Sequence, residues 1–217
     1  MNRTSVPVHA AAQGPIPTAP LPSLHAGTER LRVAVIALRR TRRLADRAVR
    51  VGERVSGLPD IDLVGGRAML CSPQEVSELL CADVDLLYAS GHHVFGGRSA
   101  FLSFDLATAG PIIAPAIVAD TCWGAHPRFL AALARARPRQ LPAAAVFTTA
   151  EDKTAPFAHE VLFAPLLAAA LTGGRPANWT QRLQDAMSQA TASAELRRYT
   201  GRDWSRWGVH QVQGTRI

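Results

Sequence analysis

Cysteine is scarce in this 217-residue chain, and lysine is nearly absent. The three cysteines, Cys71, Cys81 and Cys122, stand at uneven intervals with no CxxC pair. That excludes a disulfide framework and a cysteine-based zinc site, and makes a reducing cytoplasm the expected compartment. No set of His, Cys, Asp and Glu has metal-ligand spacing, so no metal is expected. Gly65-Gly66 and Gly96-Gly97 lack the surroundings of a GxGxxG fingerprint or a P-loop, so no nucleotide cofactor is expected. Long apolar runs are missing as well. The longest, 161–171, has 11 residues and is interrupted by Pro165, against the ~20 that a bilayer span requires. The first 25 residues hold no compact apolar block behind a basic start, which predicts neither a secretory signal nor a membrane partner. Aromatic residues make up only 6%, and Trp179, Trp204 and Trp207 near the C-terminus are expected to pack rather than to stack on bases.

What is present suffices for one folded domain. Apolar residues account for 47% and charged residues for 19%, a balance that supports a core and excludes a disordered polyelectrolyte. The formal charge is +7, and Lys153 is the only lysine among 24 basic residues. Residues 30–54 carry nine Arg against Asp46 and Glu53, a balance of 9 − 2 = +7. The rest of the chain has 15 basic and 15 acidic residues and is neutral. A domain-wide basic face is therefore excluded. The arginine-rich stretch is expected to be the solvated side of a helix, with nucleic-acid binding through 39–54 as the rival reading.

Residues 1–29 contain Pro7, Pro15, Pro17, Pro20 and Pro22 without apolar periodicity, and are expected to form a disordered leader. The folded domain, 30–217, opens with an apolar, partly β-branched run at 31–38 that predicts a strand. The period then changes. Leu44, Ala48, Val51 and Val55 fall on one helical face, ended by Gly57 and Pro59. A short strand is predicted at 61–64. Ser72-Pro73-Gln74-Glu75 then starts a helix reaching about Cys81, with serine as N-cap and proline at the first helical position. Strands are predicted at 84–89, 116–119 and 143–148, with a weaker one at 100–104; Pro115 holds the strand at 116–119 to 116 onwards. Helices are predicted at 127–133, 156–171 and 179–199, the last as a C-terminal helical extension. Such alternation implies an α/β fold, a mostly parallel central sheet covered by helices on both faces.

Two predicted strands run directly into reactive side chains. One is followed by Ser90-Gly91-His92-His93, the other by Asp120-Thr121-Cys122. In open parallel sheets ligands bind outside the carboxyl ends of the strands. If these two strands are neighbours, their ends lie ~5 Å apart, and a thiol and an imidazole face one crevice. Covalent thiol chemistry needs that pair: a thiolate nucleophile, and an imidazole that protonates the leaving group. Gly91 and Gly124 allow close approach of backbone to a substrate. Cys71 and Cys81 are expected to be core thiols. His126 and His159 are expected to be helix starts or polar contacts.

The segment Tyr88-Ala89-Ser90-Gly91-His92 resembles the histidine strand end of metacaspases and other caspase-like peptidases. Ala116-Ile117-Val118-Ala119-Asp120-Thr121-Cys122 resembles their second catalytic strand, which ends in Asp-x-Cys. The order of the two strands agrees. So does the block from Ala145 through Phe147-Thr148-Thr149 to Phe157-Ala158-His159-Glu160-Val161-Leu162-Phe163, which is similar to the strand-loop-helix after the cysteine in caspases and CHAT-type peptidases. The resemblance covers roughly 31–171. It implies a caspase-like three-layer sandwich and a bacterial-style cysteine endopeptidase with Cys122 as nucleophile and His92 as general acid/base. It also implies Asp120 in the pocket for a basic P1 residue, although an aspartate here equally suits a cap on the next turn. The family has glycine where His93 stands, so His93 is a second candidate imidazole at the substrate site.

The expected partner is a protein or peptide substrate, with a regulatory protein or self-cleavage as the activating event. The arginine-rich helix and Arg135-Ala136-Arg137-Pro138-Arg139 offer basic cleavage sites. The interval from His92 to Cys122, 30 residues, is short for the family. The alternative is accordingly a catalytically inactive caspase-like scaffold that binds a partner protein.

Overall fold

The computed structural model describes residues 30–37, 42–65, 73–91, 111–121, 124–148, 162–192 and 207–216. Six strands form one sheet: β1 (Leu31–Ala37), β2 (Ile61–Val64), β3 (Leu86–Ser90), β4 (Ala116–Asp120), β5 (Ala144–Thr148) and β6 (Gly208–Val212). Their order is β2-β1-β3-β4-β5-β6. All pairings are parallel except β5 with β6. The described helices are α1 (Arg42–Ser56), α2 (Pro73–Leu80), α3 (Pro127–Ala136), α4 (Ala164–Leu171) and α5 (Trp179–Ala192). The chain is an α/β protein with a mostly parallel sheet, as its alternation of apolar runs predicts.

Period-two alternation divides the core into two layers. Val33, Val35, Leu86, Tyr88, Ala116, Val118, Ala145 and Phe147 face one side, where they meet Ala48, Val51 and Val55 of α1 and buried residues of α4 and α5. Ala34, Ile36, Leu87, Ala89, Ile117, Ala119 and Val146 face the other, against Leu80 of α2 and Phe129, Leu133 and Ala136 of α3. Strands β3, β4 and β5 are buried on both faces throughout. That is why they read as continuous apolar runs rather than alternating ones.

Helix α1 follows its predicted face, since Ala48, Val51 and Val55 are buried. On its outer side Asp46, Arg50, Glu53 and Arg54 are exposed, an interspersion of signs that fits a solvated face. His126 is the N-cap of α3, where Nδ1 accepts from the Arg128 amide at 3.2 Å and Pro127 takes the first helical position. Trp179 and Trp207 are packing residues, both in the first core layer. The predicted strand 100–104, the predicted helical turns at 156–161 and 193–199, Trp204, His159, Cys71 and the leader lie outside the described residues.

Several boundaries differ from the prediction. Strand β3 begins at Leu86 rather than at 84. The preceding Asp85 turns its carboxylate back to accept from the Arg32 amide at 2.9 Å and pairs with Arg175 at 2.8 Å. Helix α3 runs three residues beyond 133. Cys81 is half-buried in the turn after α2 instead of a core thiol. The C-terminal region is more than a helical extension, because β6 returns to close the sheet beside β5, with Val209 opposite Phe147. Its half-exposed, polar sequence carries no run of β-formers, and a single edge strand of that kind is set by its neighbour rather than by its own pattern.

Arg137 also departs from expectation. It caps α3 and is enclosed to 1% exposure. Its guanidinium donates to the carbonyls of Ile112 (3.2 Å), Ala114 (2.6 Å) and Pro142 (3.1 Å), so it ties the approach to β4 to the approach to β5. Burial lowers its pKa to about 10, still a cation at neutral pH. Arg137 is therefore closed to a protease, and Arg135 sits in the last turn of α3; Arg139 is exposed in a turn.

Candidate functional site

The strand order reverses at β1. The chain steps from β1 to β2 on one side, then crosses to β3, β4 and β5 on the other. In such sheets the crevice forms at the carboxyl ends of the strands next to the reversal, which here include β3. Strands β3 and β4 are hydrogen-bonded neighbours in register, with Ser90 opposite Asp120. The condition posed by the sequence, that these two strands adjoin, is met. The Gly91 amide donates to the Asp120 carbonyl at 3.1 Å, which carries the ladder one residue past β3.

Parity then sorts the side chains. Tyr88, Ser90 and Asp120 lie on the face of the first core layer, and Thr148 at the end of β5 lies on the other, since it follows Ala144 and Val146 at period two. All four are fully buried. The Tyr88 hydroxyl donates to Asp120 Oδ2 at 2.5 Å. A charge-assisted O–H···O⁻ bond is of this length. The Tyr88 ring is held edge-on by Phe163 at 6.3 Å. Phe163 in turn meets Phe147 edge-on at 5.7 Å and Trp207 at 6.1 Å. Among the described residues, the Ser90 and Thr148 hydroxyls have no hydrogen-bond partner. A buried hydroxyl left so costs about 1–3 kcal/mol, and each stands at the carboxyl end of its strand.

Of the residues singled out from sequence, the structure brings Gly91 and Asp120 together at this edge. His92, His93 and Cys122 lie outside the described residues. Each of the three follows closely on the described ends of β3 and β4, as Gly91 precedes His92 and Thr121 precedes Cys122. The sequence reading assigned no role to Tyr88. Its spacing of two from Ser90 places both on one face, a signal that was available; the pairing with Asp120 was not, because register between strands 32 residues apart is not written in either strand. Among the described residues no three of His, Cys, Asp and Glu gather as a metal site. No described helix is long and apolar enough to cross a membrane.

The fold and the strand-end cluster define a mostly parallel α/β protein with a buried acidic and hydroxyl-lined edge at the carboxyl ends of its central strands. Comparison with protein-family models, with curated proteins and with solved structures returned no match.

Proposed function

We propose that the chain is a caspase-like cysteine endopeptidase that cleaves protein substrates after a basic residue. The supporting observation is the in-register adjacency of β3 and β4: His92 and Cys122 each follow by two residues the register pair Ser90 and Asp120. Cys122 as thiolate attacks the scissile carbonyl carbon, and its own backbone N–H helps to hold the tetrahedral oxyanion. His92 passes its proton to the departing amine as the C–N bond breaks and a thioester forms. It then takes a proton from water, which attacks the thioester and releases the acid and the Cys122 thiolate. Asp120 accepts the positive P1 side chain, and the buried Ser90 hydroxyl opposite it offers a further acceptor. No cofactor is needed.

The second reading is a catalytically inactive scaffold that binds a partner protein. It is favoured by the burial of Asp120, an internal position that also suits a purely structural carboxylate. Purified protein and its Cys122→Ala variant, incubated with peptides carrying Arg or Lys at P1, separate the two. The peptidase reading expects cleavage by the wild type and by Cys71→Ala and Cys81→Ala variants, with none by Cys122→Ala. Equal turnover by the Cys122 variant, or none by any, sinks it.

A further inference from the structure

We infer that the groove between α1 and α4 is the docking site of the chain's own leader, and that it takes the segment Pro20-Leu21-Pro22-Ser23-Leu24. The inference does not depend on the peptidase reading. A cavity of about 420 Å³ opens between the second half of α1, the turn that follows it and the first half of α4. Val51, Val55 and Leu167 form its buried floor, and Leu58, Ala164 and Pro165 its half-buried walls. Exposed Glu53 and Arg54 stand at the rim. An apolar hollow of this size within a polar rim marks a binding surface.

Chain geometry selects the occupant. The Leu31 amide donates to the Asp60 carbonyl at 2.8 Å. Asp60 is two residues from Leu58, at most ~7 Å of chain, so the leader enters β1 beside the turn that walls the groove. Six residues separate Leu24 from Arg30, enough to span ~20 Å, which gives Leu24 the reach to enter it. Pro20 and Pro22 fix their own φ and bias Ala19 and Leu21 to extended backbone. The segment is thus poised as a polyproline II helix, whose three residues per turn put Leu21 and Leu24 on one side, ~9 Å apart. No other two of Val, Leu and Ile in residues 1–29 stand three apart. A helix formed in advance loses little entropy on docking, and the tether supplies it at an effective concentration of the order of 1 mM. A second copy or a separate partner must compete against that. Leu58 precedes β2 by three residues, at the amino ends of the parallel strands and so at the far end of the sheet from Ser90 and Asp120. The leader is a strap across two helices, not a plug of the strand ends.

The test compares the full chain with its Leu21→Asp/Leu24→Asp variant by two-dimensional amide NMR. Neither substitution lies in the described fold. Expected are shift changes at Val55, Leu58 and Ala168, with Gly91 and Thr121 unmoved. A synthetic peptide of residues 18–26 should bind the variant and return those signals toward their full-chain positions. It should bind the unaltered chain about tenfold more weakly, because the tethered segment already competes at ~1 mM. Identical groove signals in the two proteins, equal peptide affinity, or no peptide binding to either overturns the inference. So do shift changes confined to the strand ends. Ala168 is exposed on the groove, and Ala168→Glu added to the leader variant should abolish peptide binding; binding that survives it lies elsewhere and overturns the inference. Dilution separates the chain's own leader from that of a second copy. Groove signals that move on dilution, with a falling sedimentation coefficient, assign the groove to a second copy and overturn the own-chain assignment; signals and sedimentation that stay constant support it.

Discussion

The amide of Gly91 donates to the carbonyl of Asp120 at 3.1 Å, so β3 and β4 remain zipped to the last described residue before His92. On the peptidase reading, the imidazole of His92 and the thiol of Cys122 each follow by two residues the register pair Ser90 and Asp120.

Thiol reactivity checks this without a substrate. With iodoacetamide near pH 6, Cys122 should alkylate at least about tenfold faster than an ordinary thiol, because an adjacent imidazolium stabilises the thiolate. Half-buried Cys81 should react slowly. His92→Ala should remove the acceleration, and His93→Ala should leave most of it. Mass mapping of the alkylated peptides gives the three rates. A slow Cys122 in the folded wild type would point to the scaffold instead.

The Tyr88–Asp120 bond should also be visible as stability. Tyr88→Phe and Asp120→Asn are each expected to cost about 1–3 kcal/mol, as a buried partner is left without its bond. The double variant should cost clearly less than the sum, with a coupling of about 1 kcal/mol or more. Urea unfolding of the four proteins closes the cycle. Strict additivity would mean that the two side chains do not interact in solution.

Arg137 is expected to be a structural keystone away from the site. Arg137→Met removes three bonds to carbonyl oxygens and should destabilise by ~3 kcal/mol. Arg137→Lys should recover only part, since an ammonium cannot reproduce the fork. Burial holds this guanidinium at about 10, below its ordinary value. Between those values the unfolded chain binds more protons, so this group's contribution to stability rises with pH there. Below pH 9 it should be flat. Unfolding midpoints for wild type and Arg137→Met across pH 6–9 should therefore run parallel.

Gly214, just after β6, approaches the chain at the end of α3 so closely that an alanine Cβ would lie 2.6 Å from the Arg137 carbonyl oxygen and 2.7 Å from the Pro138 carbonyl carbon. Backbone cannot yield as a side-chain tip can. Gly214→Ala should cost about 1–3 kcal/mol and loosen β6, seen as faster amide exchange over 208–212 with β1 and β3 unaffected. Unchanged exchange there would show that the two segments separate freely.

The sequence by itself determined the class of fold and the polarity of the strand ends. The runs at β1, β3, β4 and β5 are apolar because both of their faces are covered, and that burial leaves its mark on composition. The N-cap at His126 and the start of β4 after Pro115 were legible because capping and proline act over a few residues. Local chemistry also brought Gly91 and Asp120 to attention. Non-local relations were not legible. The adjacency of β3 and β4, the return of β6 beside β5, the bond from Tyr88 to Asp120 and the enclosure of Arg137 each join segments far apart in the chain. Register between strands is decided by how whole layers pack, and no single segment encodes it. Only the tertiary structure therefore turned two suggestive strand ends into one edge, and made Tyr88 the partner of Asp120.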